Sequence, residues 1–143
     1  MVDSSAEAWK TLEAVHEGFP LLLRCPASIP YERQSDFPRL VALTLEFSKA
    51  TQSGLPEADY NDGLTDFDVA TVRLFRESDE GVTVLVETFA GKRHYYSYVD
   101  SHVDVDTVLN THRERFPDVK LQWAVHENAD WRFIRNYAAE YAI

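Results

Sequence analysis

Cysteine is nearly absent from this chain, since Cys25 is the only one among 143 residues. No internal disulfide can form, and a lone thiol is typical of proteins in a reducing compartment. The chain also lacks any apolar run of the roughly 20 residues that a membrane-spanning helix needs. Its first residues have neither the basic segment nor the apolar core of a signal peptide. Together these absences predict a cytoplasmic protein that does not enter a membrane.

Basic residues are also scarce. The chain has 14 lysine and arginine residues against 24 aspartate and glutamate residues, a net charge of −10. This surplus argues against nucleic acid or an anionic membrane as a partner, because both present negatively charged phosphate groups. It favours a protein partner with a basic surface.

Motifs of enzyme chemistry are missing from the sequence. No Gly-x-Ser-x-Gly or Ser-x-x-Lys motif presents a nucleophile, and no glycine loop runs into Lys-Ser or Lys-Thr to hold a phosphate. The histidines lack the close spacing of a zinc site; they are His16, His94, His102, His112 and His126. We therefore predict no catalytic residues, no bound metal and no other cofactor, and an enzyme is the less favoured interpretation.

Hydrophobic residues, by contrast, are plentiful, at 45% of the chain, with aromatic residues at 13%. At this chain length, such a content predicts a folded protein with one core. No linker, internal repeat or low-complexity segment interrupts the pattern. We expect a single α+β domain over residues 1–143.

Residues 81–100 carry the clearest pattern, two runs of β-branched and aromatic residues around a short break that ends in Gly91. They predict a β-hairpin, which has two candidate registers. A two-residue loop at Ala90 and Gly91 would place Arg93 on the same face as the valines of the first strand. A three-residue loop with Gly91 in the left-handed conformation would instead set Arg93 opposite Glu87 on the outer face. Because only the three-residue loop separates apolar from polar residues, we predict that register.

The segments around the hairpin set the predicted fold. In chain order they are a strand at 40–48, a helix at 57–80, the two hairpin strands, a helix at 105–116 and a strand at 118–127. This βαββαβ order is typical of a ferredoxin-like split βαβ sheet. An extra N-terminal strand at 19–25 and a C-terminal helix at 130–143 complete the prediction. The pattern leaves open where the N-terminal strand joins the sheet and whether the second face of the sheet is covered.

Short motifs in a fixed order give the chain a resemblance to a known family. They are Gly18-Phe19-Pro20 followed by Arg24, then Gly54-Leu55-Pro56, the segment 88–93 with Tyr98 beyond it, and Asp130-Trp131. From about residue 9 to residue 137, the chain resembles a bacterial family of unknown function that is thought to be distantly related to regulator of ribonuclease activity B, an inhibitor of ribonuclease E. The resemblance implies no catalytic residues. It implies that a small acidic α+β domain of this kind can act by binding a protein.

Negative charge is concentrated in the predicted helix at 57–80, which has eight acidic residues against two arginines. Asp59, Asp62 and Asp66 are spaced three and four residues apart, so they are predicted to share one face of that helix. Gly63 weakens the middle of the helix, and a break there is the alternative. A solvated outer face explains the acidic pattern without a partner. The functional interpretation is a docking face for a basic protein.

Two functions are compatible with these observations. The favoured one is a non-catalytic regulatory or inhibitory domain that binds a protein target through the three aspartates above. The alternative is a small-molecule-binding protein or an enzyme, with a pocket between the sheet and the N-terminal segment lined by Arg24, His94 and Tyr98. A homodimer is compatible with either function.

Overall fold

The computed structural model describes residues 8–143, which form an α+β arrangement. The strands are Trp9–His16 (β1), Phe19–Pro26 (β2), Arg39–Glu46 (β3), Gly81–Phe89 (β4), Lys92–Val99 (β5) and Lys120–Glu127 (β6). The α-helices are Ala58–Asp62 (α1), Thr65–Val72 (α2), Val105–Arg115 (α3) and Arg132–Tyr141 (α4). Within the described residues, no helix is both long enough and apolar enough to cross a membrane.

The six strands form one sheet in the order β1-β2-β4-β5-β3-β6. Every neighbouring pair is antiparallel. β3 lies inside the sheet and pairs along its whole length with β5 on one side and β6 on the other. Its apolar side chains Val41, Leu43 and Leu45 all enter the same core.

Helices cover both faces of this sheet. On one face, Phe67 of α2 and Leu109 of α3 join a core with the β3 side chains. On the other face, Trp131 and Ile134 at the start of α4 join a second core with residues of β2, β4 and β5. The second face is therefore covered over those strands, while Ala124 of β6 on the same face stays exposed.

Two N-terminal strands join the sheet where the sequence predicted one. Residues 9–16 form β1, which pairs with β2 along its whole length and makes the outer edge of the sheet. The turn between them uses Glu17 and Gly18, whose φ angles are 53° and 83°. Residues 8–15 fit a strand and a helix equally well by their own pattern, so the pairing with β2 decides the outcome.

The central hairpin has a two-residue loop, so the three-residue register predicted from the sequence is wrong. Ala90 and Gly91 have φ angles of 54° and 82°, as a type I′ turn requires. Arg93 consequently lies opposite Thr88 and not opposite Glu87. Positive φ is unusual for alanine, and for this reason the Ala-Gly pair gave no clear signal of such a turn.

Covering of both sheet faces explains why the register prediction failed. The prediction assumed one solvated face, to which Arg93 would be assigned by its charge. In the structure Arg93 is only 8% exposed and lies on the side of the sheet that α2 covers. There it donates hydrogen bonds to the side chains of Thr88 and Asn61. The irregularity in the hairpin lies farther along β4, between Thr83 and Leu85, and not at the loop.

The predicted helix at 57–80 is two short helices and a series of turns. α1 ends at Asp62, and α2 begins at Thr65 and ends at Val72. Asp59 and Asp62 therefore belong to one helix and Asp66 to the next, so the three do not lie on one continuous helix face. The break falls at Gly63, because glycine destabilises the interior of a helix relative to alanine.

Candidate functional site

A groove lies where α1 and α2 meet the C-terminal end of α3. Its first part is a cleft of about 420 Å³. The apolar residues lining this part are Tyr60, Leu64, Phe67, Phe116, Pro117 and Val119, and the charged residues are Asp59, Asp66, Asp118 and Arg115.

Aromatic packing holds the two sides of the groove together. Phe67 of α2 is buried and meets Phe116 edge to face, with 5.3 Å between ring centroids. Thr71 of α2 hydrogen-bonds His112 of α3, with 2.8 Å between Oγ1 and Nε2. Burial, helped by the nearby charge of Arg115, lowers the pKa of His112 below its usual range. His112 is therefore a neutral structural residue that fixes the spacing of α2 and α3.

A second cleft of about 410 Å³ continues along α2 and shares Asp66, Arg115 and Phe116 with the first. Its lining also includes Val69, which is 46% exposed, and Glu77. We refer to the two clefts together as the acidic groove. Its lining has the carboxylates Asp59, Asp66, Glu77 and Asp118, and the guanidinium groups Arg73 and Arg115.

The structure places the three predicted docking aspartates on the surface, but not as one group. Asp59, Asp62 and Asp66 are all exposed. Asp59 and Asp66 line the acidic groove on its first cleft, whereas Asp62 does not line it. The break in the predicted helix thus separates Asp62 from the other two.

Arg24 lies on the same side of the sheet as the acidic groove and makes an ion pair with Asp68 of α2. Its two terminal nitrogens donate to the two carboxylate oxygens of Asp68, at 2.9 and 2.6 Å. The Tyr95 hydroxyl donates to the same carboxylate at 2.7 Å. Burial acts to raise the pKa of Asp68, but the hydrogen bonds and charge of Arg24 outweigh it and hold that pKa below its usual range. Asp68 is therefore a carboxylate at neutral pH.

Tyr98 lies on the opposite side of the sheet, against α4. Its ring stacks on Trp131 with 4.3 Å between centroids, and its hydroxyl donates to Asn128 Oδ1 at 2.8 Å. Burial raises the pKa of Tyr98 well above its usual range. This residue is part of the second core.

His94 shares that side of the sheet with Tyr98. Its Nδ1 is 2.9 Å from Thr44 Oγ1, and its Nε2 is 3.9 Å from Glu87. Burial lowers the pKa of His94, and the charge of Glu87 opposes that shift only in part. Because Arg24 lies across the sheet from both His94 and Tyr98, the three do not line one pocket as the sequence analysis expected.

Sequence reasoning missed the α3 side of the acidic groove. Arg115, Asp118 and Val119 come from the end of α3 and the turn after it, about 50 residues from Asp66 in the chain. The sequence marks this turn through Pro117, which stops a helix. It has no local signal that places the turn beside α1 and α2.

Cys25 is buried and lies outside the acidic groove. Across residues 8–143, no three or more histidine, cysteine, aspartate or glutamate side chains come together in a way that could hold a metal ion.

Comparison with known proteins shows the family of this chain. A family model described as a family of unknown function (DUF695) matches residues 7–138, so the chain belongs to that family. No curated protein matches the chain. No solved structure matches it either.

Proposed function

We propose that this protein is a non-catalytic regulatory or inhibitory domain that binds a protein with a basic surface through the acidic groove. The observation that carries the proposal is the partly exposed apolar lining of the groove, from Tyr60, Val69, Phe116 and Val119, beside four carboxylates. Apolar surface that stays open to solvent on a folded domain is typical of an interaction site. The charged rim selects which partner approaches.

The shape of the groove supports a protein segment as the occupant. Two clefts of about 420 and 410 Å³ adjoin along α2, which makes the site elongated and open. An amphipathic segment can place apolar side chains in such a groove and basic side chains against the carboxylates. Arg73 and Arg115 interrupt the acidic lining, so they would favour a partner whose positive charges are spaced and not continuous.

The strand order supports a finer fold assignment for residues 39–127. The order β4-β5-β3-β6, with both intervening helical segments on one face, is consistent with the ferredoxin-like split βαβ topology. We also propose the distant relation of this family to regulator of ribonuclease activity B, which would imply a mode of action by binding. A buried lone cysteine supports a reducing, cytoplasmic setting.

The test is capture of partners with immobilised protein in extracts of the source cell, followed by mapping with the purified partner. We expect a basic protein that is retained by the native chain and by Asp62→Lys. Asp59→Lys and Asp66→Lys should each retain markedly less of it, because these two carboxylates line the acidic groove and Asp62 does not.

Asp62→Lys is a matched control, since it makes the same charge reversal at an exposed position of α1. Equal losses in all three variants would mean that only net charge matters, and would contradict the groove as the site. Amide chemical shifts that move on β6 or α4 and not around the groove would also contradict it. A second copy of this chain as the retained protein would identify a homodimer and overturn the basic partner.

A further inference from the structure

A smaller cleft on the other side of α1 and α2 has a different chemical character. It has a volume of about 280 Å³ and is lined by Arg24, Asn61, Leu64, Thr65, Asp68 and Arg93. It lies between the α1–α2 segment and strands β2 and β5, so it is separate from the acidic groove except for Leu64.

The cleft contains an excess of positive charge. Asp68 is its one carboxylate and is shared by two guanidinium groups, those of Arg24 and Arg93. The side chains of Arg93 and Asp68 are only 9% and 17% exposed. A chain with a net charge of −10 thus has a partly shielded cleft with one surplus positive charge, since the Arg24 side chain is 35% exposed. Charges that are shielded from water are stabilised by an opposite charge, so this surplus favours a bound anion.

Hydrogen bonding leaves donors in the cleft that a carboxylate could use. Arg93 donates from Nε to Thr88 at 2.9 Å and from Nη2 to the Asn61 side-chain oxygen at 3.1 Å. Its Nη1 is 3.7 Å from Asp68, which is too long for a hydrogen bond. The Asn61 side chain also lines the cleft, and its amide nitrogen is a donor that a ligand there could use.

We propose that this cleft binds the carboxylate group of a small organic acid. One negative charge matches the surplus of one positive charge, whereas a doubly charged phosphate ester would exceed it within an acidic protein. Arg93 Nη1 and the Asn61 amide supply two donors to the ligand oxygens, a geometry that suits a carboxylate. The volume exceeds the roughly 10–15 Å³ that one water molecule requires, so a small organic molecule has room. This site is independent of the acidic groove and goes beyond the protein-binding function.

The test is a titration of the whole chain with sodium acetate, sodium chloride or sodium phosphate at pH 7 and constant ionic strength. The readout is the side-chain Nε–Hε resonance of Arg93, assigned by its loss in Arg93→Lys, together with backbone amides of residues 61–68. Acetate should give a saturable shift at these positions, and chloride and phosphate should bind at least about tenfold more weakly.

Asn61→Asp is the decisive variant, because substitution of Arg93 itself could unfold the chain. Asn61 is exposed, and an aspartate there neutralises the surplus charge and removes the amide donors. Acetate affinity should fall about tenfold or more. Asn110→Asp is the matched control, since Asn110 is also exposed and accepts from an arginine, Arg113, on α3; it should leave the affinity unchanged.

Three results would overturn the proposal. One is the absence of a saturable shift with acetate. Another is chloride or phosphate binding as tightly as acetate, which would make the site unspecific or a phosphate site. The third is an unchanged acetate affinity in Asn61→Asp, which would mean that the arginines and Asp68 form a closed structural network.

Discussion

Asp68→Asn removes the charge that links α2 to β2 and β5, and we expect it to lower the free energy of unfolding by about 2–3 kcal/mol. The variant keeps the size of the side chain but leaves the guanidinium groups of Arg24 and Arg93 without a carboxylate. Breaking a fully buried pair costs about 3–5 kcal/mol. Because the Arg24 side chain is 35% exposed, solvent offsets part of that loss.

Urea denaturation followed by tryptophan fluorescence measures this difference, with Asp66→Asn as the control on the same helix. Asp66 is exposed, so its substitution should change the free energy of unfolding by no more than about 0.5 kcal/mol. A value for Asp68→Asn within that range would refute the account of the ion pair.

The pH dependence gives an independent check on the same residue. The pKa of Asp68 is lower in the folded protein than in the unfolded chain, where it is about 3.9. Its contribution to stability is therefore fully present above the unfolded pKa and is lost as pH falls through the folded pKa. The gap between the native chain and Asp68→Asn should be constant from pH 7 to pH 5 and should narrow below about pH 4. A gap that widens on acidification would contradict the direction of the shift.

Two further variants test the second core and the loop beside the hairpin. Trp131→Ala should lower the free energy of unfolding by about 3–5 kcal/mol. The reason is that the ring is fully buried and that its Nε1 donates to Phe37 O at 2.8 Å. A urea midpoint equal to that of the native chain would refute this expectation. Gly54→Ala should lower the melting temperature more than Gly18→Ala does. Both glycines have positive φ, but a Cβ at Gly54 would lie 2.8 Å from Ala90 Cα, whereas one at Gly18 meets nothing within 4 Å. Equal melting temperatures for the two alanine variants would show that the contact relaxes without cost.

The sequence predicts well those features that repeat along one element. The alternation of Val41, Leu43 and Leu45 predicts the strand β3, and the runs at 81–100 predict the central hairpin, because both patterns are local. The hairpin register was mispredicted because the assignment of residues to sheet faces by polarity assumes that one face is exposed to solvent. Arg93 is buried by partners from α1 and α2, which no local pattern in β5 reveals.

The candidate site was likewise predictable from the sequence only in part. Asp59 and Asp66 stand out in the sequence as part of an acidic segment, and both line the acidic groove. Phe116 and Val119 complete the groove from the end of α3, and their approach depends on the packing of Phe67 against that helix. Long-range packing of this kind follows from the whole core and not from a motif.

The association rate with the captured partner tests the central claim most directly. Charges at the rim of an interface act mainly on the association rate and are screened beyond about 10 Å at 0.1 M salt. Stopped-flow measurements at low salt should show that Asp59→Lys combined with Asp66→Lys slows association by about tenfold or more, while Asp62→Lys has a much smaller effect. The difference between these variants should shrink as salt is added. An unchanged rate for the double variant at low salt would contradict the acidic groove as the docking site and leave its carboxylates as a solvated surface.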